Sequence, residues 1–112
     1  MVNKILTPKI KEKKSKQVKE KRRLIPLYHV ILLDDDEHTY DYVIEMLMKI
    51  FGHTLPTSYR MACEVDSNGR VVVDTTYKER AEVKQTQIHA YGSDWRILHC
   101  QGSMSATIEP AD

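Results

Sequence analysis

The sequence predicts an α+β domain in the order βααβαβ, a small three-stranded antiparallel sheet packed against helices. Three observations carry that expectation. "YHVILL" is a short run of β-branched and aliphatic residues, which suits a buried central strand. From Thr39 the apolar period changes, with Val43, Met46, Leu47 and Ile50 at helical spacing. A second apolar strand, "RVVVDTT", follows the turn residues Ser67-Asn68-Gly69 and precedes another helical pattern.

Each element has its own signals. "LIPLY" marks a boundary, because Pro26 stops a preceding helix and favours an extended Ile25. In the first helix Asp41, Glu45 and Lys49 fall opposite the apolar stripe, and Gly52 suits its end. In "GHTLPTSYRMACEVDSNG", residues 52 to 69, Pro56 suits a first helical turn, and Tyr59, Ala62, Cys63 and Val65 give a short apolar face. Thr76 and Glu79 have capping-box spacing for a third helix, in which Ala81, Lys84, Ile88 and Tyr91 share a face. "DWRILHC" reads as the last strand and "QGSMSATIEPAD" as a weak tail. No internal repeat is present.

Composition bounds the function. The 112 residues suit one domain with one modest core, at 41% apolar content and with one Phe and one Trp. No apolar run reaches the roughly 18 residues of a membrane helix, and the N-terminus has no apolar signal-peptide region. Cys63 and Cys100 lack metal-ligand spacing and read as core thiols of a reducing compartment, the cytoplasm. The net charge of +1 hides an asymmetry. Residues 1 to 26 hold ten Lys/Arg and two Glu, whereas residues 27 to 112 hold seven Lys/Arg and fourteen Asp/Glu. The chain thus reads as a disordered basic extension, 1 to 26, on an acidic domain, 27 to 112. "KIKEKKSKQVKEKRR" has no interleaved aromatics on which bases could stack, so no specific nucleic-acid module is expected.

The chemistry-bearing motif is the acid run after the first strand: Asp34, Asp35, Asp36 and Glu37. Adjacent like charges repel and add nothing to packing. They suit a divalent cation, an amine ligand or a basic partner, or simply a solvated turn at a helix start. Carboxylates after a strand hold Mg²⁺ in phosphoryl-transfer folds, but those have a Gly-rich loop and a parallel sheet. This chain has two successive helices there and no such loop. The five histidines, His29, His38, His53, His89 and His99, show no metal spacing and read as surface or strand residues. No metal and no cofactor are expected.

"YHVILLDDDEHTYDYVIEMLMKIFG", "GRVVVDTTYKERAEVKQTQIHAY" and a short strand ending in "LHC" together resemble the ClpS family of Clp-protease adaptors, over residues 28 to 100. The resemblance implies an adaptor and not an enzyme. Such domains capture N-degron substrates, proteins whose first residue is bulky and hydrophobic, and dock on the N-terminal domain of the Clp ATPase while the adaptor tail engages the ATPase. A monomer without membrane attachment is implied. The family's Asn-Asp-Asp, which holds the substrate α-amine, corresponds to Asp34, Asp35 and Asp36. Its amine-binding His corresponds to Asp66. Tyr40, Val43, Ala62 and Val65 are the implied hydrophobic pocket, with Tyr40 and Ala62 at two positions usually filled by Met. The family's Thr-Pro is His38-Thr39. Glu79 and Lys84 match positions that contact the ATPase. An ammonium donates three hydrogen bonds and accepts none, so converging carboxylates are suitable acceptors for it. Since the departures gather at the ligand site, the alternative is a divergent ClpS-like paralogue that binds the Clp ATPase or another partner without recognising N-degrons.

Overall fold

The computed structural model describes residues 25 to 100 and 102 to 112. The expected basic extension therefore lies outside the described residues, apart from Ile25 and Pro26, both exposed. Strand β1, Leu27–Leu33, is the centre of a three-stranded antiparallel sheet. On one side it pairs with β2, Arg70–Tyr77, from Leu27 opposite Tyr77 to Leu33 opposite Arg70. The register shifts by one residue between Val30 and Ile31. On its other side it pairs with β3, Ser105–Pro110, from Tyr28 opposite Pro110 to Leu33 opposite Ser105. Being central, β1 needs no polar face, and Val30, Ile31 and Leu32 are all fully buried.

Helix α1, Tyr40–Phe51, is capped by Thr39, whose hydroxyl accepts from the Tyr42 N–H, and ends at Gly52 in the left-handed conformation, φ 71°. Helix α2, Leu55–Asn68, is capped by Thr54, carries Pro56 in its first turn and ends at Gly69, φ 79°. Helix α3, Lys78–His89, follows β2 without a loop. Val43, Met46 and Leu47 from α1, Ala62 and Val65 from α2, and Ala81 and Ile88 from α3 pack with Val30 and Leu32 of β1 and Val71 and Val73 of β2. No described helix is long and apolar enough to cross a membrane.

Several expectations are corrected. The segment 94 to 100 is a series of turns, with Trp95 80% and Leu98 85% exposed. The last strand lies in the supposed tail, where Met104 and Ala106 are buried. The apolar run "WRIL" is held on the surface by polar side-chain bonds that a hydropathy pattern does not register. The capping box does not form: Thr76 is inside β2, opposite Tyr28, and Tyr77 precedes α3 without a side-chain cap bond. Sheet pairing has claimed the residue that would have capped the helix. On α2 the inward stripe is Ser58, Ala62 and Val65, at i, i+4 and i+7, which turns Tyr59 outward to 54% exposure. Tyr91 lies beyond the end of α3, its ring edge-on to Tyr42. Cys63 and Cys100 are half-buried free thiols outside the central core cluster.

Candidate functional site

The acid run begins where β1 leaves the sheet. The Asp34 N–H donates to the carbonyl of Gly69, 3.0 Å, which ties the β1–α1 loop to the C-terminus of α2. Asp66 lies one turn before that carbonyl. Asp34 Oδ1 accepts from the Asp36 N–H at 3.1 Å, and Asp36 has φ 59°, a left-handed turn that Asp tolerates better than most residues. These bonds bring carboxylate oxygens of Asp34, Asp36 and Asp66 within 4.8 Å of one another. The Asp34 carboxylate beside Asp36, through a side-chain hydrogen bond and its charge, raises the Asp36 pKa, with smaller contributions from partial burial, Asp66 and Asp35. Among the described residues none of the three takes part in an ion pair with a cation.

Asp35 is turned away from that group. Its Oδ1 accepts from the Glu37 N–H at 3.0 Å, and its carboxylate lies 2.9 Å from His38 Nδ1. Of the four expected amine ligands the structure thus gathers three and separates the fourth. Asp35, Glu37 and His38 also place ligand atoms close together, but both nitrogens of His38 are committed to protein acceptors, so they form a hydrogen-bonded turn. His38 is not a surface residue, its side chain being 1% exposed. His53 likewise has a structural partner, its Nε2 donating to the Val73 carbonyl at 2.7 Å.

The expected pocket residues divide as well. Val43, Ala62 and Val65 are buried in the core. Tyr40 is 39% exposed and reaches from the first turn of α1 to α2, where its hydroxyl donates to Asp66 Oδ2 at 2.6 Å. Its ring is edge-on to Tyr59, with centroids 6.3 Å apart. Asp66 accepts the phenol proton and so pushes the Tyr40 pKa up to about 12, helped by partial burial. At about pH 10.5, where an ordinary Tyr is largely ionised, Tyr40 should remain protonated in the wild type and ionise in Asp66→Ala. The Tyr40 ring-carbon shift reports this, and identical titrations in the two proteins would contradict the pairing.

Sequence reasoning missed Asp94, which is 1% exposed and anchors the loop after α3 to the start of α1. Its Oδ2 accepts from the N–H and hydroxyl of Thr39, at 3.0 and 2.7 Å. Its Oδ1 accepts from the Arg96 backbone and guanidinium, at 3.1 and 3.3 Å, and Arg96 continues to Glu45 at 2.5 Å. Burial favours the neutral acid, yet the Thr39 and Arg96 donors outweigh it and hold the pKa down at about 2. The available signal was an Asp just after Gly92-Ser93, a turn composition with an acid suited to a helix N-terminus.

The two expected docking residues line different clefts. Glu79 is exposed in the first turn of α3, beside Ile25, Tyr28 and Tyr77. Lys84 faces α1, where its ammonium donates to the Ile50 carbonyl at 2.6 Å and lies 5.6 Å from the Phe51 ring centroid. It thereby satisfies a carbonyl at the C-terminal end of α1.

An all-oxygen trio at this spacing can accept a hard divalent cation or an ammonium. Residues 23–96 match the family model of the ATP-dependent Clp protease adaptor protein ClpS. The chain is similar to the ATP-dependent Clp protease adapter protein ClpS of Desulforapulum autotrophicum, 29% identical over 82 residues, covering 73% of this chain and 79% of that protein. It is also similar to the protein of the same name from Vibrio cholerae, 32% identical over 78 residues, covering 68% of this chain and 74% of that one. In fold it resembles Agrobacterium tumefaciens ClpS2 bound to L-phenylalaninamide, with a TM-score of 0.65, 26% identity, and coverage of 76% of this chain and 96% of that one.

Proposed function

The chain belongs to the ClpS family of Clp-protease adaptors, and is an adaptor rather than an enzyme; from this premise we propose that it binds the N-termini of N-degron substrates and delivers them to the N-terminal domain of a Clp ATPase in the cytoplasm. The observation that carries the reading is the convergence of Asp34, Asp36 and Asp66 with no cationic partner among the described residues. A substrate ammonium supplies the missing charge and three donors. The relative of similar fold is bound to L-phenylalaninamide, a molecule with a free α-amine and a benzyl side chain, which is the ligand chemistry this site suits. Asp35 supports the loop from behind through His38 and Glu37 rather than touching the amine.

The side chain of the first residue enters between α1 and α2, toward Val43, Ala62 and Val65. It displaces the Tyr40 ring, whose hydroxyl must then release Asp66. Glu79 and Lys84 contribute to the ATPase-facing surface, and the basic extension engages the ATPase. The adaptor acts as a monomer. Burying a Phe ring in place of a methyl is worth about 1.5–3 kcal/mol, so peptides beginning with Phe, Leu, Tyr or Trp should bind at least about tenfold more tightly than one beginning with Ala. Equal affinities in a fluorescence-anisotropy series would contradict a hydrophobic first-residue site. A second reading, a divergent paralogue that binds the ATPase or another partner without N-degrons, is favoured by one observation. Val43, Ala62 and Val65 are at most 4% exposed, so no open pocket reaches them in the free protein.

A further inference from the structure

We propose that His38, held as an imidazolium between Asp35 and the Gly102 carbonyl, is a positioning residue of the amine site, fixing the loop that carries Asp34 and Asp36 so that peptide affinity follows its protonation. This deepens the N-degron reading and rests on it. The geometry requires two ring protons. Nε2 lies 2.6 Å from the Gly102 carbonyl oxygen, which can only accept. Nδ1 lies 2.9 Å from Oδ2 of Asp35, which when ionised can only accept. A neutral imidazole has one N–H and can satisfy just one of them.

His38 connects two segments. Asp35 lies between the two amine-site acids in sequence, and Asp36 is bonded to Asp34, so the orientation of Asp35 and of both neighbours is set together. Gly102 belongs to the loop before β3, beyond the residues that match the family model. The resemblance gives Thr at the position of His38, so the device is a feature of this chain rather than of the family. The groups facing the ring are Asp35 and Glu37 from its own loop, Tyr42 of α1, with ring centroids 4.4 Å apart, and the Cys100 sulfur, 3.5 Å from Nε2. That sulfur also accepts the Asp94 N–H at 3.3 Å. Burial disfavours the charge, but the Asp35 and Gly102 hydrogen bonds and the two acids outweigh it, and the pKa is raised above its ordinary value. The contribution is therefore complete below the unfolded-state pKa of a histidine and is lost as pH rises through the higher folded one.

The test has two arms on the full chain. In the ligand-free protein, an NMR titration should show the Asp34, Asp36 and Gly102 amides moving with the His38 ring, which needs no variant. In calorimetry with a Phe-initiated peptide, His38→Gln should bind about tenfold more weakly than wild type at acidic pH, and the difference should close as pH rises. The peptide's own amine titration is common to both proteins and cancels in that ratio. A ratio constant with pH, or amides that do not follow the ring, would overturn the proposal. Failure of both proteins to bind at any pH would overturn the N-degron reading, and with it this role. The amide titration separately decides whether His38 holds the loop.

Discussion

Asp94→Ala should lower folding stability at neutral pH by about 2–4 kcal/mol, a fall in Tm of about 10 °C or more for a domain of this size. Asp94 is 1% exposed and accepts four hydrogen bonds, two from Thr39 and two from Arg96. Alanine removes every acceptor at once, leaving the Thr39 N–H at the start of α1 without its partner and Arg96 with Glu45 as its remaining carboxylate. Donors stranded in this way lose their protein partners without regaining full hydration. Asp94→Asn should lose less, since the amide oxygen can still serve Thr39 while its NH₂ opposes the Arg96 donors. The native pKa of about 2 lies below the ordinary 3.8, so the charged form is favoured by folding. The stabilisation is present above the unfolded pKa near 4 and disappears as pH falls through about 2, a linkage of about 2 kcal/mol. Urea unfolding at neutral and acidic pH measures both. Equal stability of wild type and Asp94→Ala at neutral pH would show that Asp94 does not anchor the loop.

Neutralising the acid trio should separate binding from folding. In Asp34→Asn/Asp36→Asn/Asp66→Asn every native acceptor survives: an Asn oxygen can still take the Asp36 N–H at position 34 and the Tyr40 hydroxyl at position 66. The Asp34 hydrogen bond and the neighbouring charges that raise the Asp36 pKa no longer act on a titrating group, so the free protein should melt no lower than wild type and should lose the destabilisation that appears as pH rises through that pKa. Affinity for an ammonium should nevertheless fall about 100-fold or more, because charge-assisted bonds at about 1.5–3 kcal/mol each become neutral ones. Unchanged affinity for a Phe-initiated peptide in this variant, with a normal melt, would remove the trio from the binding site.

How much of this was legible in the sequence depended on which physical term set each element. β1 is the central strand, with Val30, Ile31 and Leu32 fully buried, and its "YHVILL" run therefore announced it. Gly52 and Gly69 ended their helices because each takes a positive φ that few other residues accept. β3 gave no comparable signal. It is a six-residue edge strand ending in Pro110, and it contributes only the small Ala106 and the partly buried Ile108 to the core. "DWRILHC" looked more strand-like, but Asp94 takes Thr39 and Arg96 as partners, while Arg96 lies 4.5 Å from the centroid of the exposed Trp95 ring. Such side-chain bonds override hydropathy and were not visible in it.

The site was legible in a similarly uneven way. Adjacent Asp34, Asp35 and Asp36 advertised a concentration of charge, and resemblance to the family supplied Asp66, 30 positions from Asp36. The orientation of each carboxylate is tertiary. An Asx bond directs Asp34, a left-handed φ directs Asp36, and His38 draws Asp35 out of the group. The Tyr40–Asp66 bond spans two helices, so neither helix's pattern contained it.

Recognition of a free, charged N-terminus through Asp34, Asp36 and Asp66 can be measured directly. Calorimetry at about pH 6.5, where an α-amine of pKa near 8 is protonated, compares a Phe-initiated peptide with its N-acetylated form. Acetylation removes the charge and adds bulk at the same point, so the triple Asn variant is measured alongside to isolate the charge. Acetylation should weaken binding about 100-fold or more in the wild type and much less in the variant. Equal binding of the free and acetylated peptides by the wild type would contradict that recognition and favour the paralogue without N-degron recognition.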